Sequence, residues 1–168
     1  MPTSKTEQLA RELLQHFHPE LEQTFGYRPD WLRNPATGHC LEVDLWFADL
    51  QAGIEIQGVG HHRYTPGLHA SSDDFDKQLR HDTLKLQLCA DWGVRLYHLD
   101  AFRMTRSEFP KFLRRFEEDN RLQPNRSVGE PIALYATADR LCRMKVKTPK
   151  NIDTHASVCQ RFWARLWA

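Results

Sequence analysis

No apolar run in this chain of 168 residues is long enough for a membrane span or a secretion signal. The expectation is a cytoplasmic protein with no membrane partner. Cysteine is scarce: Cys40, Cys89, Cys142 and Cys159 are the whole set, with no Cys-x-x-Cys spacing. That argues against a disulfide framework and a zinc ribbon, and for free thiols in a reducing compartment. His39-Cys40 with His61-His62 offers zinc-type ligands but lacks paired spacing, so zinc is not the favoured reading. Internal repeats and low-complexity tracts are absent. So is an excess of one charge, since 23 Lys and Arg face 22 Asp and Glu, a net +1. The charges are unevenly spread, however. Residues 1–100 hold 9 basic and 15 acidic residues, and residues 101–168 hold 14 and 7. A basic half can grip phosphates, although segments that differ in charge often intermix in a folded domain. With 40% apolar residues there is enough for one compact core.

What is present begins at Leu41. Residues 41–47 alternate, with Leu41, Val43, Leu45 and Phe47 on one face and Glu42, Asp44 and Trp46 on the other. Residues 53–58 alternate as well, with Ile54 and Ile56 apolar and Glu55 and Gln57 polar. If the turn centres on Asp49-Leu50, residues whose numbers sum to 99 face each other. Asp44 then sits opposite Glu55, with Cβ atoms roughly 4.5–5.5 Å apart. Two carboxylates that close repel unless a cation lies between them. A hard divalent cation suits such a pair, and beside a positioned polar group it suits phosphodiester hydrolysis. An ordinary hairpin with a solvated acidic face accounts for these two strands equally well, so the context downstream has to decide.

Gly58 and Gly60 end the second strand, and His61-His62-Arg63-Tyr64 follows. Imidazole is suited to proton transfer near neutral pH, though adjacent histidines also occur in plain polar loops. Residues 73–91 then read as a helix. Gln78, Asp82 and Lys85 recur at i, i+4 and i+7 beside an apolar side of Phe75, Leu79, Leu86 and Cys89 or Ala90. A polar stripe of this kind is usually a solvated face, with Asp82 and Lys85 a weak surface pair. Gly93 reads as the C′ residue, and residues 94–99 as a buried strand.

Upstream, Ser4 to Glu7 forms a capping box, and Leu9, Leu13, Leu14 and Phe17 give an amphipathic helix to about residue 17. Trp31-Leu32 reads as a short strand, joined by the turn-rich residues 34–38 to the Asp44 strand. Downstream, Thr105 to Glu108 reads as a second capping box, opening a helix with Phe109, Phe112, Leu113 and Phe116 on its apolar face. Residues 123–131 read as a loop, 131–144 as a helix, 145–150 as a basic link, and Asp153 as the cap of a last helix carrying terminal aromatics. Those aromatics are of a type that stacks on bases but more often packs against the domain.

The whole order resembles the PD-(D/E)xK nuclease superfamily. It runs helix with Glu, strand with Asp, strand with Glu-x-Gln-Gly, His, helix with Gln-x-x-x-Asp-x-x-Lys, then Gly-Val and a strand. Within the superfamily it is most similar to the branch of very-short-patch repair endonucleases and phage homing endonucleases with an EDxHD-type site. The residues that carry the resemblance are Glu7 or Glu12, Trp31, Leu32, Asp44, Glu55, Gln57, Gly58, His61, Gln78, Asp82, Lys85 and Gly93, spread over residues 4–100. Gln57 departs from the pattern, because the superfamily usually has lysine there. His62 departs too, standing where an aromatic residue is more usual.

The resemblance implies an α/β, restriction-endonuclease-like mixed sheet of about four strands flanked by helices. Residues 1–122 would form the nuclease core, and residues 123–168 a basic helical extension packed on it. It implies hydrolysis of DNA with Mg²⁺ or Mn²⁺ held by Asp44, Glu55 and the carbonyl of Ile56. Gln57 would orient water, and His61 would act as general base or steady the phosphate. Asp82 would join the site from the helix, with Glu7 preferred over Glu12 as the glutamate from the first helix. Arg63, His62, Lys85 and Gln78 would contact the substrate. The rivals are a catalytically silent member of the same fold that binds DNA or a protein partner, and an RNA nuclease of that fold. Both monomer and homodimer stay open.

Overall fold

The computed structural model describes residues 4–62, 64–66, 69–101, 104–125 and 127–146, with the side chains of 59 and 142–146 left aside. Arg63, the greater part of the basic link and the last helix expected after Asp153 lie outside the described residues. Among the described residues four α-helices and four strands follow in the order α1 (Lys5–Phe17), β1 (Thr24–Tyr27), β2 (Val43–Phe47), β3 (Ala52–Gln57), α2 (Ser72–Asp91), β4 (Arg95–Asp100), α3 (Phe109–Asn120) and α4 (Ile132–Val146). One mixed sheet has the order β1-β2-β3-β4. β1, β2 and β3 run antiparallel, and β3 and β4 run parallel because α2 carries the chain back across the sheet.

The hairpin register is the one that a turn centred on Asp49-Leu50 gives. Leu45 pairs with Ile54, Trp46 with Gly53 and Phe47 with Ala52. The turn is a short 3₁₀ segment, Ala48–Leu50, closed by Gln51 in the left-handed region at φ 48°. In the parallel ladder Ile54 faces Tyr97, Glu55 faces His98, Ile56 faces Leu99 and Gln57 faces Asp100. Side chains alternate across a sheet. The apolar members therefore fall on one face, and Glu55, Gln57, His98 and Asp100 on the other.

Each face is covered. Leu45, Phe47, Ile54, Ile56, Tyr97 and Leu99 pack against Leu9, Leu13 and Leu14 of α1, Phe109, Leu113 and Phe116 of α3, and Tyr135 and Ala138 of α4. The opposite face has a smaller core of Leu32, Val43, Trp46, Cys89 and Val94. Trp46, expected beside the acids on a polar face, is only 4% exposed in that second core. Val43 also departs from its expected face with Leu45 and Phe47. The reason lies across the β1 pairing. Phe25 joins the larger core and Tyr27 the smaller, and between them Gly26 takes φ 58°, which interrupts the pleat.

Two further expectations are corrected. Trp31-Leu32 is not a strand. The Leu32 amide donates to Pro29 O in a turn, and only an isolated bridge, Arg33 to Cys40, survives there. The first strand is Thr24–Tyr27 instead. The second capping box does not form either, because α3 begins at Phe109 with no side-chain cap. A helix opening at Arg106 would place Pro110 beyond the first turn, where its missing N–H breaks the ladder. Starting at Phe109 puts the proline in the first turn, where it is tolerated. By contrast, the Ser4 capping box forms as expected, with the Glu7 amide 3.1 Å from Ser4 Oγ and the Ser4 amide 3.2 Å from a Glu7 carboxylate oxygen.

His18 closes α1 and lies fully buried, its two ring nitrogens 2.8 Å from Glu20 and 2.9 Å from Glu117 of α3. This bridge ties two helices of the same layer together.

Gly53 sits where the sheet is tightest. A Cβ there would meet Val43 Cγ1 at 2.7 Å and Leu96 Cδ1 at 3.1 Å. Gly53→Ala is expected to destabilise the fold by about 1–3 kcal/mol through overpacking. Gly58→Ala, with nothing within 4 Å of its Cβ, should stay within about 0.5 kcal/mol of wild type. Urea denaturation of the two variants checks this, and equal stabilities would contradict the packing described.

Candidate active site

The acids meet where β2 and β3 part. The paired residues of this hairpin end at Leu45 and Ile54, and beyond that point Asp44 Oδ2 accepts the Ile56 amide at 2.7 Å. A carboxylate side chain thus replaces the next rung of the ladder. The N–H and C=O of one strand residue point the same way, so the Ile56 carbonyl also faces the Asp44 side. Glu55 is 6% exposed. Its Oε2 accepts from Lys85 Nζ at 2.5 Å, and its Oε1 is buried with no hydrogen-bond partner among the described residues.

Lys85 comes from α2, and here the sequence pattern reads differently from a solvated stripe. Asp82 and Cys89 are the buried residues of the helix, and the Lys85 side chain is 12% exposed. Gln78, Asp82, Lys85 and Cys89 therefore form the inward stripe. Lys85 pairs with Glu55 and not with Asp82. Asp82 Oδ2 instead holds His61 Nδ1 at 2.9 Å. His62 Nε2 lies 3.5 Å from Asp100 at the end of β4.

The electrostatics follow from crowding acids in a dry place. Burial, with Asp44 and Asp82 adding repulsion, pushes the Glu55 carboxyl up to about 7 despite Lys85. Asp44 is raised by burial as well, against the Ile56 amide and Lys85, with Glu7 and Glu42 adding to the rise. Burial alone would lower His61, but the Asp82 hydrogen bond and the Asp82 and Glu55 charges outweigh it and hold the ring above its ordinary value. His98 is the reverse case, pushed down to about 4 chiefly by burial, with Lys85, His61 and His62 adding to the fall. Cys89, near Glu55, is pushed up to about 12 by burial and is an inert thiol.

The expected residues thus divide. Asp44, Glu55, Gln57, His61, Asp82 and Lys85 gather on one side of the sheet, with the Ile56 backbone meeting Asp44 at the strand and His62 at the margin. Of the two glutamates on α1, Glu7 acts electrostatically on Asp44 while also serving the helix cap. Glu12 is exposed and bonded to Gln8. Gln78 does not join the acids, because it bonds His69 at 3.0 Å. Two histidines of this region escaped the sequence reading. His69 is 7% exposed and accepts the Thr65 amide at Nδ1, which steadies the loop that carries His61. His98 lies beside Glu55 and contacts Gln57. The available signal for His98 was a lone imidazole between Tyr97 and Leu99 of the strand that follows α2.

Among the described residues, no three His, Cys, Asp or Glu side chains form a metal-holding group on their own. Nor is any helix long and apolar enough to cross a membrane. Cys40 and Cys89 are free thiols.

No known protein-family model matches the chain, and no solved structure does. It is similar to the uncharacterized protein 307L of Invertebrate iridescent virus 6, 35% identical over 74 residues, which is 41% of this chain and 38% of that protein. It is similar to the uncharacterized protein 033L of Invertebrate iridescent virus 3, 35% identical over 79 residues, 44% of this chain and 41% of that one. It is also similar to the uncharacterized protein 094L of Frog virus 3 (isolate Goorha), 36% identical over 64 residues, 38% of this chain and 41% of that one. The chain spans less than half the length of the curated relatives it matches.

Glu55 supplies a pH test. Its folded value of about 7 lies above the ordinary 4.5, so the folded protein binds this proton more tightly than the unfolded chain. Its contribution to stability is therefore full below about 4.5 and is lost as pH rises to about 7. His98, lowered to about 4, works with the opposite sign between 4 and 6.5, but it is common to wild type and Glu55→Gln. The stability of wild type relative to Glu55→Gln should therefore fall across that window, by at most about 1.4 kcal/mol per pH unit. Urea denaturation in EDTA reads the difference, and a difference that grew with pH would overturn the assignment.

Proposed function

We propose that this chain is a divalent-cation-dependent endonuclease of the PD-(D/E)xK type, hydrolysing DNA phosphodiester bonds. The observation that supports this most is the hairpin pair itself. Asp44 is fixed by the Ile56 amide, while Glu55 keeps one buried oxygen without a partner. A buried carboxylate oxygen left bare is costly unless something positive reaches it.

The donor set fits Mg²⁺ or Mn²⁺ better than a cage metal. Mg²⁺ is commonly held by one or two carboxylates, with water and substrate phosphate completing its octahedron. Asp44 and Glu55, with the Ile56 carbonyl, would hold the cation. When bound, it would supply Lewis-acid stabilisation of the charge that builds on the phosphate oxygens.

The chain's own groups then have distinct tasks. Gln57 orients the attacking water. Lys85 brings a fixed positive charge from α2 to Glu55, placing on the helix an ammonium that position 57 lacks. Asp82 fixes the ring of His61 through Nδ1, which leaves Nε2 for substrate. His61, held by Asp82, is assigned either to take the proton of the attacking water as general base or to steady the scissile phosphate. Arg63 and His62 border this position in sequence and are assigned to the substrate backbone.

The silent-member reading draws on Gln57, since an amide brings no charge to the water. Cleavage assays on DNA and on RNA with Mg²⁺, Mn²⁺ or EDTA separate the readings. Cleavage should be lost in EDTA. Asp44→Ala and Glu55→Ala should each lose both cation binding, measured by calorimetry, and cleavage. His61→Ala should bind the cation nearly as wild type does while cutting about 10²-fold more slowly. Wild type that binds Mg²⁺ and cuts neither nucleic acid would favour the silent member. Cutting RNA alone would favour the RNA nuclease, and cleavage that survives EDTA and Asp44→Ala would place the chemistry elsewhere.

A further inference from the structure

Gln57 and His98 meet nitrogen to nitrogen. The contact is between Gln57 Nε2 and His98 Nδ1. An amide nitrogen only donates, so the ring nitrogen facing it must carry no proton. With the amide placed this way the ring is the neutral Nε2–H tautomer, and the amide orientation and the tautomer are one linked assignment. With Nε2 committed to His98, Gln57 Oε1 has no hydrogen-bond partner among the described residues. Gln57 and Glu55 lie two apart on β3 and so share a face, with His98 directly beside Glu55 on β4.

We infer that His98 is a positioning residue: it fixes the Gln57 amide so that the oxygen, not the nitrogen, is offered to the reacting water beside Asp44 and Glu55. This rests on the nuclease reading and deepens it. A lysine at position 57 could only donate hydrogen bonds. Gln57 held in this way accepts one, so it orients water by taking a hydrogen bond from it, leaving a lone pair free for attack. Without His98 the amide turns over, and half of its orientations present a donor.

Two measurements test this. The first needs no activity. Long-range ¹H–¹⁵N correlation of the histidine rings in the metal-free protein should show His98 with Nδ1 bare and Nε2 protonated. A proton on Nδ1 would mean that Gln57 presents its nitrogen to the site, and the inference would be wrong.

The second uses cleavage. His98→Asn keeps an acceptor oxygen close to the place of Nδ1 and should stay within about threefold of wild type. His98→Leu should lower kcat about tenfold, the scale typical of a lost orienting partner, with Mn²⁺ affinity unchanged. The double variant Gln57→Leu/His98→Leu should be no slower than Gln57→Leu alone, because the inferred effect of His98 on the water passes through the amide. Additive losses, or a His98→Leu enzyme as fast as wild type, would overturn the inference. If wild type cuts nothing, the nuclease reading falls, and the ring-nitrogen measurement still decides the tautomer.

Discussion

The contact between Lys85 and Glu55 carries most of the architecture on the polar face of the sheet. Both side chains are largely buried, and neither could be left there alone. A buried carboxylate without its cation costs several kcal/mol, and so does the reverse. The pair therefore fixes the rotation of α2 about its own axis. Once Lys85 faces inward, Gln78, Asp82 and Cys89 must face inward too, because helical spacing allows nothing else. Asp82 then reaches His61, and Cys89 closes the second core below Trp46. A change at this one contact is felt by the helix, the loop and the sheet together.

Much of this was legible before any coordinates. Alternation on both sides of residues 48–51 showed which residues share a face, and the register followed once the turn was centred on Asp49-Leu50, since a slip of one residue would have turned Phe47 and Ile54 out of the core. The capping box of α1 and the end of α2 were legible because local chemistry at Ser4 and Gly93 decides them, while the Ser71 cap places the start of α2 at Ser72, one residue before the expected 73. The direction of the Gln78–Lys85 stripe was not. Spacing shows that residues share a face but not which way that face turns, and here a buried acid on β3 reversed the usual outcome. β1 was missed because four residues with a glycine in the left-handed region carry no strand signal of their own. His98 was missed because its meaning depends on the parallel register with β3, which is a tertiary fact.

The charge asymmetry between the two halves has a partial structural reading. Much of the acidic excess of the first half sits on the sheet–α2 side, where burial raises Asp44 and Glu55 toward neutrality. From the basic half, α3 and α4 pack on the opposite face through Phe109, Phe116, Tyr135 and Ala138. Their arginines belong to a layer separated from the acids by the sheet itself. A nucleic acid held by both would have to pass around an edge of the domain.

The parallel pairing of β3 with β4 also sets an order of events in time. The β2–β3 hairpin joins residues 5 to 9 apart, whereas the β3–β4 ladder joins residues 43 apart. Closing a short loop is fast, and long-range pairing waits on the loss of chain entropy. A nascent chain can therefore hold Asp44 and Glu55 together while Lys85, Asp82 and His98 are still far away. In that interval the acids stand in water. Their dry surroundings, and with them the rise of Asp44 and Glu55, arrive only when the crossover docks.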